Sequence, residues 1–106
     1  MKYLKTIVCL SMELTDEQLE KLEQMSAALM PPVEIAILLR IPPSEKALFI
    51  QTCKNHVNSP IYEAYQRGKL TTKFELRQTV VKLAKAGSPA AEPLAEKYIR
   101  DQLNNE

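Results

Sequence analysis

Apolar side chains recur at every third or fourth position along most of this chain, a spacing that predicts amphipathic helices. Proline-containing stretches divide the pattern into five segments: "MPP" at 30–32, "RIPPS" at 40–44, "NSP" at 58–60 and "AGSP" at 86–89. Only two glycines are present, and the commonest residues are good helix formers. The sequence therefore predicts an all-α protein of about five helices, with an N-terminal three-helix unit followed by a long helical hairpin.

The expected helix starts carry capping residues. Thr15 and Gln18 have the spacing of a capping box at the start of helix 1. Pro60 and Pro89 are expected as the first residues of helices 4 and 5, and Gly87 as the residue that ends helix 4. The serines expected to cap helices 3, 4 and 5 are Ser44, Ser59 and Ser88.

The second and third helices have different patterns. Helix 2, "VEIAILL" at 33–39, is apolar at every position except Glu34, so we expect it to be buried nearly all round. Helix 3 is expected to point Leu48, Phe49 and Cys53 inward. Its expected exposed residues are Lys46, Gln51, Thr52, Lys54 and Asn55.

Gly68 lies within the predicted helix 4, where glycine costs about 1 kcal/mol relative to alanine. At 100° per residue it shares a face with apolar residues, among them Ile61 and Leu76. A glycine in such a row permits close approach of another backbone, so Gly68 is expected at a crossing with an N-terminal helix. A kink without close contact is the alternative.

A second apolar row runs along the other side of helix 4. Its members are Leu70, Phe74 and Val81. Two apolar rows indicate a helix that is sandwiched within one chain or partnered by another. We take these three residues as the candidate oligomer interface.

Charge is unevenly distributed, although the net charge is only +1. Residues 64–86 contain six basic residues and one acidic residue, Glu75, for a local net charge of +5. Such a bias indicates a polyanion-binding surface; a solvated helix face is the alternative.

Several classes of function lack the residues they need. Two cysteines make no disulfide framework and suggest a reducing compartment. Cys53 and His56 have a C-x-x-H spacing, but a zinc site usually needs four ligands, so neither a metal nor a cofactor is expected. The chain shows no acid pair with a nearby nucleophile and no phosphate-binding glycine loop, which argues against an enzyme.

The N-terminal residues 1–13 are expected to be a poorly ordered extension. Met12 begins "MELTDEQLEKL", which resembles a natural start, whereas "TIVCL" at 6–10 is too short for a secretory signal. A short strand that pairs with a neighbouring copy is the alternative for 1–11. No segment approaches the length of a membrane span, and a cytoplasmic location is expected. Residues 14–106 are expected to form a single domain, with a helix-turn-helix-like part at 14–57 and the hairpin at 59–103.

Two stretches carry a family resemblance. "VEIAILL" followed by "RIPPSEKALF" resembles a helix-turn-helix core, with Ala36 at a position that favours a small residue. The block "SPIYEAYQRGKLTTKFELRQTVVKLAKAGSPAAEPLAEKYI" is similar to the corresponding part of phage terminase small subunit-like helix-turn-helix proteins. The resemblance covers roughly residues 14–100. The chain departs from the pattern at the turn, where Arg40 replaces the usual glycine and Pro42–Pro43 follows.

The resemblance implies a non-enzymatic protein that binds double-stranded viral DNA at a packaging start site. It also implies a homo-oligomer that recruits a large ATPase–nuclease subunit. Helix 3 would then enter the major groove, and the basic residues of helix 4 would contact phosphates. The resulting candidate DNA contacts are Lys46, Gln51, Lys54 and Asn55 from helix 3, and Arg67, Lys69, Lys73 and Arg77 from helix 4. The alternative is an all-helical protein-interaction module with a degenerate helix-turn-helix.

Overall fold

A computed structural model describes residues 12–105 of the chain. Over this range the structure is all-α, without strands, as the hydrophobic pattern predicted. One turn of 3-10 helix, Pro43–Glu45, leads into the third helix. The five α-helices are α1 (Asp16–Ala27), α2 (Pro32–Leu38), α3 (Lys46–Asn55), α4 (Pro60–Lys85) and α5 (Glu92–Asn104).

Side-chain capping explains two of the helix starts. The Gln18 amide donates to the Thr15 hydroxyl oxygen at 3.1 Å, and the Thr15 amide donates to the Gln18 side chain at 2.9 Å, which confirms the capping box. Ser59 also acts as predicted, since its hydroxyl oxygen accepts from the Ile61 amide at 3.2 Å. These bonds satisfy amides that have no partner within their own helix.

The caps predicted for α3 and α5 were wrong. The 3-10 turn takes in Ser44, and α3 begins directly after that turn, at Lys46, without a side-chain cap. Ser88 and Pro89 likewise precede α5, which begins at Glu92, and the Glu92 amide donates to the backbone carbonyl of Ser88 instead. Each of these helices follows a turn that a proline opens, Pro43 before α3 and Pro89 before α5. Proline has no N–H group, so it leaves no donor unsatisfied at these positions.

Three helices end in the same reversal of the backbone. The residue after the C-cap has a positive φ in each case: 65° at Leu29, 59° at Arg40 and 93° at Gly87. The next amide then donates to a carbonyl five residues earlier, as Ser88 does to Leu83 at 3.0 Å. This Schellman arrangement satisfies carbonyls at the helix end, and it confirms Gly87 as the stop of α4.

The first compact unit ends at Thr71, and its core lies among α1, α2, α3 and the start of α4. Phe49 and Cys53 are fully buried, as predicted for α3, and Leu48 is partly buried beside them. α2 packs against both α1 and α3. The remaining buried members of the core are Met12, Leu22, Ile35, Ala36, Leu39, Ile41, Ile61 and Ala64.

The prediction that α2 is buried nearly all round was wrong. Ile35 and Ala36 are fully buried, but Val33, Ile37 and Leu38 are 51–59% exposed. A helix of seven residues that packs against α1 and α3 on one side leaves the opposite side in water. The apolar run in α2 therefore covers more of the helix than this unit can bury.

Gly68 marks a close helix crossing, as predicted. A Cβ atom at this position would overlap the carbonyl oxygen of Glu23 and lie 2.9 Å from the Ala27 amide nitrogen and the Ser26 Cβ. Beside it, the Ser26 hydroxyl donates to the Tyr65 carbonyl at 2.5 Å. Backbone contact with α1 thus explains why a glycine stands inside this helix.

The second compact unit begins at Thr72 and contains the end of α4 together with α5. The boundary between the two units falls inside α4, whereas the sequence pattern predicted a division near residue 58. Met12, which was assigned to the N-terminal extension, is only 8% exposed and belongs to the core. The extension and strand hypotheses for residues 1–11 lie outside the described residues.

Candidate nucleic-acid interface

The exposed side of α3 is short and polar. Gln51, Lys54 and Asn55 are exposed together with Ala47, whereas Lys46 is only half-exposed. Around the helix axis, Lys46 lies about 80–180° away from Gln51, Lys54 and Asn55. The structure therefore brings three of the four candidate contacts from this helix onto one surface.

Thr52 does not belong to this surface, contrary to the sequence analysis. It is 2% exposed, and its hydroxyl donates to the Leu48 carbonyl at 2.6 Å. Threonine satisfies its hydroxyl in this way inside a helix. Thr52 thus faces the core while its neighbour Gln51 faces water.

The two amide side chains on α3 contact each other. The Asn55 Nδ2 atom donates to the Gln51 Oε1 atom at 2.5 Å across one helical turn. This bond leaves one oxygen and the remaining amide hydrogens for a ligand. Asn and Gln are suited to bidentate contact with adenine in the major groove, and Lys54 can contact a phosphate.

The four basic residues predicted on α4 do not act as one surface. Helical spacing places Lys69, Lys73 and Arg77 within about 80° of one another, with Arg67 directed elsewhere. Arg67 instead contacts two carboxylates: its guanidinium lies 3.1 Å from that of Glu23 on α1 and 3.9 Å from that of Glu63, one turn earlier on α4. Its charge is therefore largely compensated within the first unit.

Arg77 and Lys69 also have intramolecular contacts. The Arg77 guanidinium lies 3.9 Å from the Asp101 carboxylate and 4.3 Å from the centre of the Tyr98 ring. The Lys69 ammonium lies 5.7 Å from the centre of the Tyr65 ring, within cation–π range. The local net charge of +5 over residues 64–86 includes Arg67 and Arg77 at full value. Their ion pairs with Glu23 and Asp101 reduce the field that a distant anion experiences.

Arg40 lies at the turn between α2 and α3, at the position where the helix-turn-helix pattern usually has glycine. Its backbone conformation explains why glycine would suit this position. Its φ of 59° lies in the left-handed region, which disfavours side chains with a Cβ. Arg40 is exposed, so its guanidinium adds positive charge near the start of α3.

Replacing Arg40 with glycine is expected to raise the free energy of unfolding by about 1 kcal/mol, because relief of the left-handed strain exceeds the entropic cost of glycine. Urea unfolding of Arg40→Gly and wild type measures the difference. Arg40→Ala retains the Cβ and serves as the control without the charge. An equal gain in Arg40→Ala would attribute the effect to charge rather than backbone strain.

Cys53 and His56 are separated by burial. Cys53 is fully buried, and desolvation raises the pKa of its thiol from 9.0 to about 12, whereas His56 is exposed. Cys53 is therefore a neutral packing residue at ordinary pH. Within residues 12–105, no group of three potential metal-binding side chains occurs.

The residues proposed for oligomer contact are exposed. Leu70 is 49% exposed, Phe74 60% and Val81 37%. Helical spacing places all three within about 40° on one side of α4. The sandwiched alternative therefore does not describe Phe74, whose side chain remains largely in water.

No protein-family model matches this chain, and searches of curated proteins and of solved structures also find no match. Among residues 12–105, no helix combines the length and apolar character needed to cross a bilayer.

Proposed function

We propose that this chain is a non-enzymatic, cytoplasmic DNA-binding protein of the phage terminase small subunit type. It would recognise viral DNA for packaging and recruit a large ATPase–nuclease subunit. The observation that carries the DNA-binding part is the polar face of α3, formed by Gln51, Lys54 and Asn55 and preceded by α2 and a tight turn. The packaging role and the large subunit rest on the sequence resemblance alone.

The arrangement of α2 and α3 suits a groove-binding helix. α2 packs against α3 and against α1, so α3 is held on one side while its opposite side is exposed. A recognition helix presents base-contacting side chains in this way, and its neighbours contact the backbone. Arg40 and Lys46 stand before the polar face in sequence and would contact phosphates.

Binding by one subunit is expected to be weak. Two of the eight candidate contacts, Arg67 and Arg77, already lie beside carboxylates, and Glu45 is exposed just before α3. Few phosphates are then neutralised per subunit, so useful affinity would require several linked subunits on one DNA.

Fluorescence anisotropy with a random DNA duplex at two salt concentrations tests the proposal. Wild-type protein is expected to bind at low salt, and the logarithm of affinity should fall with that of salt by roughly 0.9 per phosphate neutralised. Lys54→Glu should weaken binding to all sequences and lower the slope by about 1. Gln51→Ala should instead change sequence preference.

Lys97→Glu is the matched control, because Lys97 is an exposed lysine on α5. Lys97→Glu changes the net charge by the same amount as Lys54→Glu, but it is expected to bind DNA more tightly than Lys54→Glu does. Equal losses in the two variants would show that α3 has no special role. Absence of binding by concentrated wild-type protein at low salt would remove DNA from the proposal.

The second candidate function is a protein-interaction module. Val33 and Ile37 favour it, because they lie one helical turn apart on α2 with more than half of each side chain exposed, and adjoining exposed apolar side chains often mark a protein contact. Wild-type protein that fails to bind DNA would leave this function as the better account of the first unit.

A further inference from the structure

The hairpin of residues 72–105 leaves most of its large apolar side chains in water. Phe74 is 60% exposed, Ile99 57% and Leu103 61%, whereas Ala91 is the one apolar residue of this segment that is buried. Two helices alone bury little surface, and helices of this length are marginal in water without packing. This part of the chain therefore has apolar surface available for a partner.

One face of the hairpin combines an apolar floor with charged edges. Val81 and Ala84 of α4 and Ala95 and Ile99 of α5 line an open groove of about 860 Å³ between the two helices. The surface continues past Val81 to Phe74 on the outer side of α4. We call this surface the groove face.

The two edges of the groove face carry opposite charge. Along α4 the charged lining residues are basic, with Lys82 and Lys85 near the turn. Along α5 they are acidic, with Glu92 and Glu96 near the same turn. A surface of this kind is complementary to a second copy of itself.

We propose that the groove face is the contact of a homodimer whose two-fold axis runs parallel to the hairpin. This axis places α4 of each copy over α5 of the other, so a basic edge meets an acidic edge twice. A two-fold axis across the helices would place α4 over α4 and oppose like charges. Charge thus selects the first arrangement, an antiparallel four-helix bundle.

The positions of the charges along the hairpin agree with this axis. A rotation about an axis parallel to the helices does not change the height of a residue along them. Lys82 and Lys85 therefore meet Glu92 and Glu96 of the second copy at the same level, next to the turn. At the opposite end, Phe74 comes level with Leu103 of the second copy.

The expected size of the contact suits a weak dimer. Two helices of about 13 residues present a face roughly 20 Å long and 20 Å wide, about 400 Å² on each copy, which is the size of a transient contact. The dimer is accordingly expected to dissociate in the micromolar range. It can be tested separately from DNA binding, because the groove face shares only Lys73 and Arg77 with the candidate DNA contacts and none of those on α3.

Sedimentation of wild-type protein and of Phe74→Glu over a range of concentrations tests the apolar part. Phe74→Glu is expected to raise the dimer dissociation constant by roughly thirtyfold or more, since it places a charge opposite Leu103 of the second copy in the apolar part of the contact. Leu76→Glu is the matched control: Leu76 is 54% exposed and points about 160° away from Phe74 on the same helix. It should leave the dimer intact.

A charge exchange tests the axis. The variant Lys82→Glu/Lys85→Glu and the variant Glu92→Lys/Glu96→Lys should each dimerise roughly tenfold more weakly or worse, because every edge then meets its own sign. Mixing the two restores opposite charges at both edges, so a heterodimer at wild-type affinity is expected by native mass spectrometry. Monomeric wild-type protein, a dimer lost with Leu76→Glu but not with Phe74→Glu, or a mixture that fails to associate would overturn the proposal.

Discussion

Replacing Gly68 with alanine is expected to lower the free energy of unfolding by about 3 kcal/mol, the upper end of the usual cost of overpacking. The added Cβ would overlap the Glu23 carbonyl and crowd the backbone of α1 at Ala27. Backbone atoms in a helix move less easily than a side chain, so the two helices would have to separate. Urea unfolding followed by far-ultraviolet circular dichroism measures the change.

The sign of the Gly68→Ala effect is the informative part. In a helix without a close neighbour, alanine would stabilise by about 1 kcal/mol relative to glycine. Gly87→Ala is the matched control, because Gly87 has a φ of 93° and open space around it. Gly87→Ala should lower the free energy of unfolding by only about 1 kcal/mol, because alanine disfavours the positive φ of this residue. A gain in stability on Gly68→Ala would contradict the crossing with α1.

Replacing Phe49 with alanine is expected to lower the free energy of unfolding by about 3–5 kcal/mol. Phe49 is fully buried where α3 meets the core of the first unit, so its removal leaves a cavity that a small domain fills poorly. A domain of this size is typically stable by only about 5–15 kcal/mol. Much of the population is then expected to unfold at moderate temperature, together with the α3 surface.

Phe74 provides the matched control, since the chain contains only two phenylalanines. Phe74→Ala removes the same atoms from a side chain that is 60% exposed. At protein concentrations that dissociate the proposed dimer, it should change the unfolding midpoint little. Comparable losses for Phe49→Ala and Phe74→Ala would show that Phe74 is buried within one chain.

The fold was largely predictable because its signals are local. Thr15 and Gln18 cap α1 through contacts three residues apart. Gly87 ends α4 through its own backbone angle. Gly68 was also predictable, because a glycine in an apolar row has few purposes other than close packing.

The candidate DNA interface was predictable only in part. Gln51, Lys54 and Asn55 are exposed on α3 as helical spacing suggested. The contact of Arg67 with Glu23 joins residues 44 positions apart, which no local pattern reveals. Thr52 was misassigned because a hydroxyl satisfied within its own helix can be buried.

The sequence alone determined the all-α class, most helix boundaries and the glycine at the crossing, since each depends on neighbours within about four residues or on backbone freedom. Only the tertiary structure decided which sides of the helices remain exposed. Helix α2 shows the reason: its residues are apolar except for Glu34, but the fold buries Pro32, Ile35 and Ala36 and leaves Ile37 in water. Burial depends on how many elements surround a helix, and that number is a property of the whole fold.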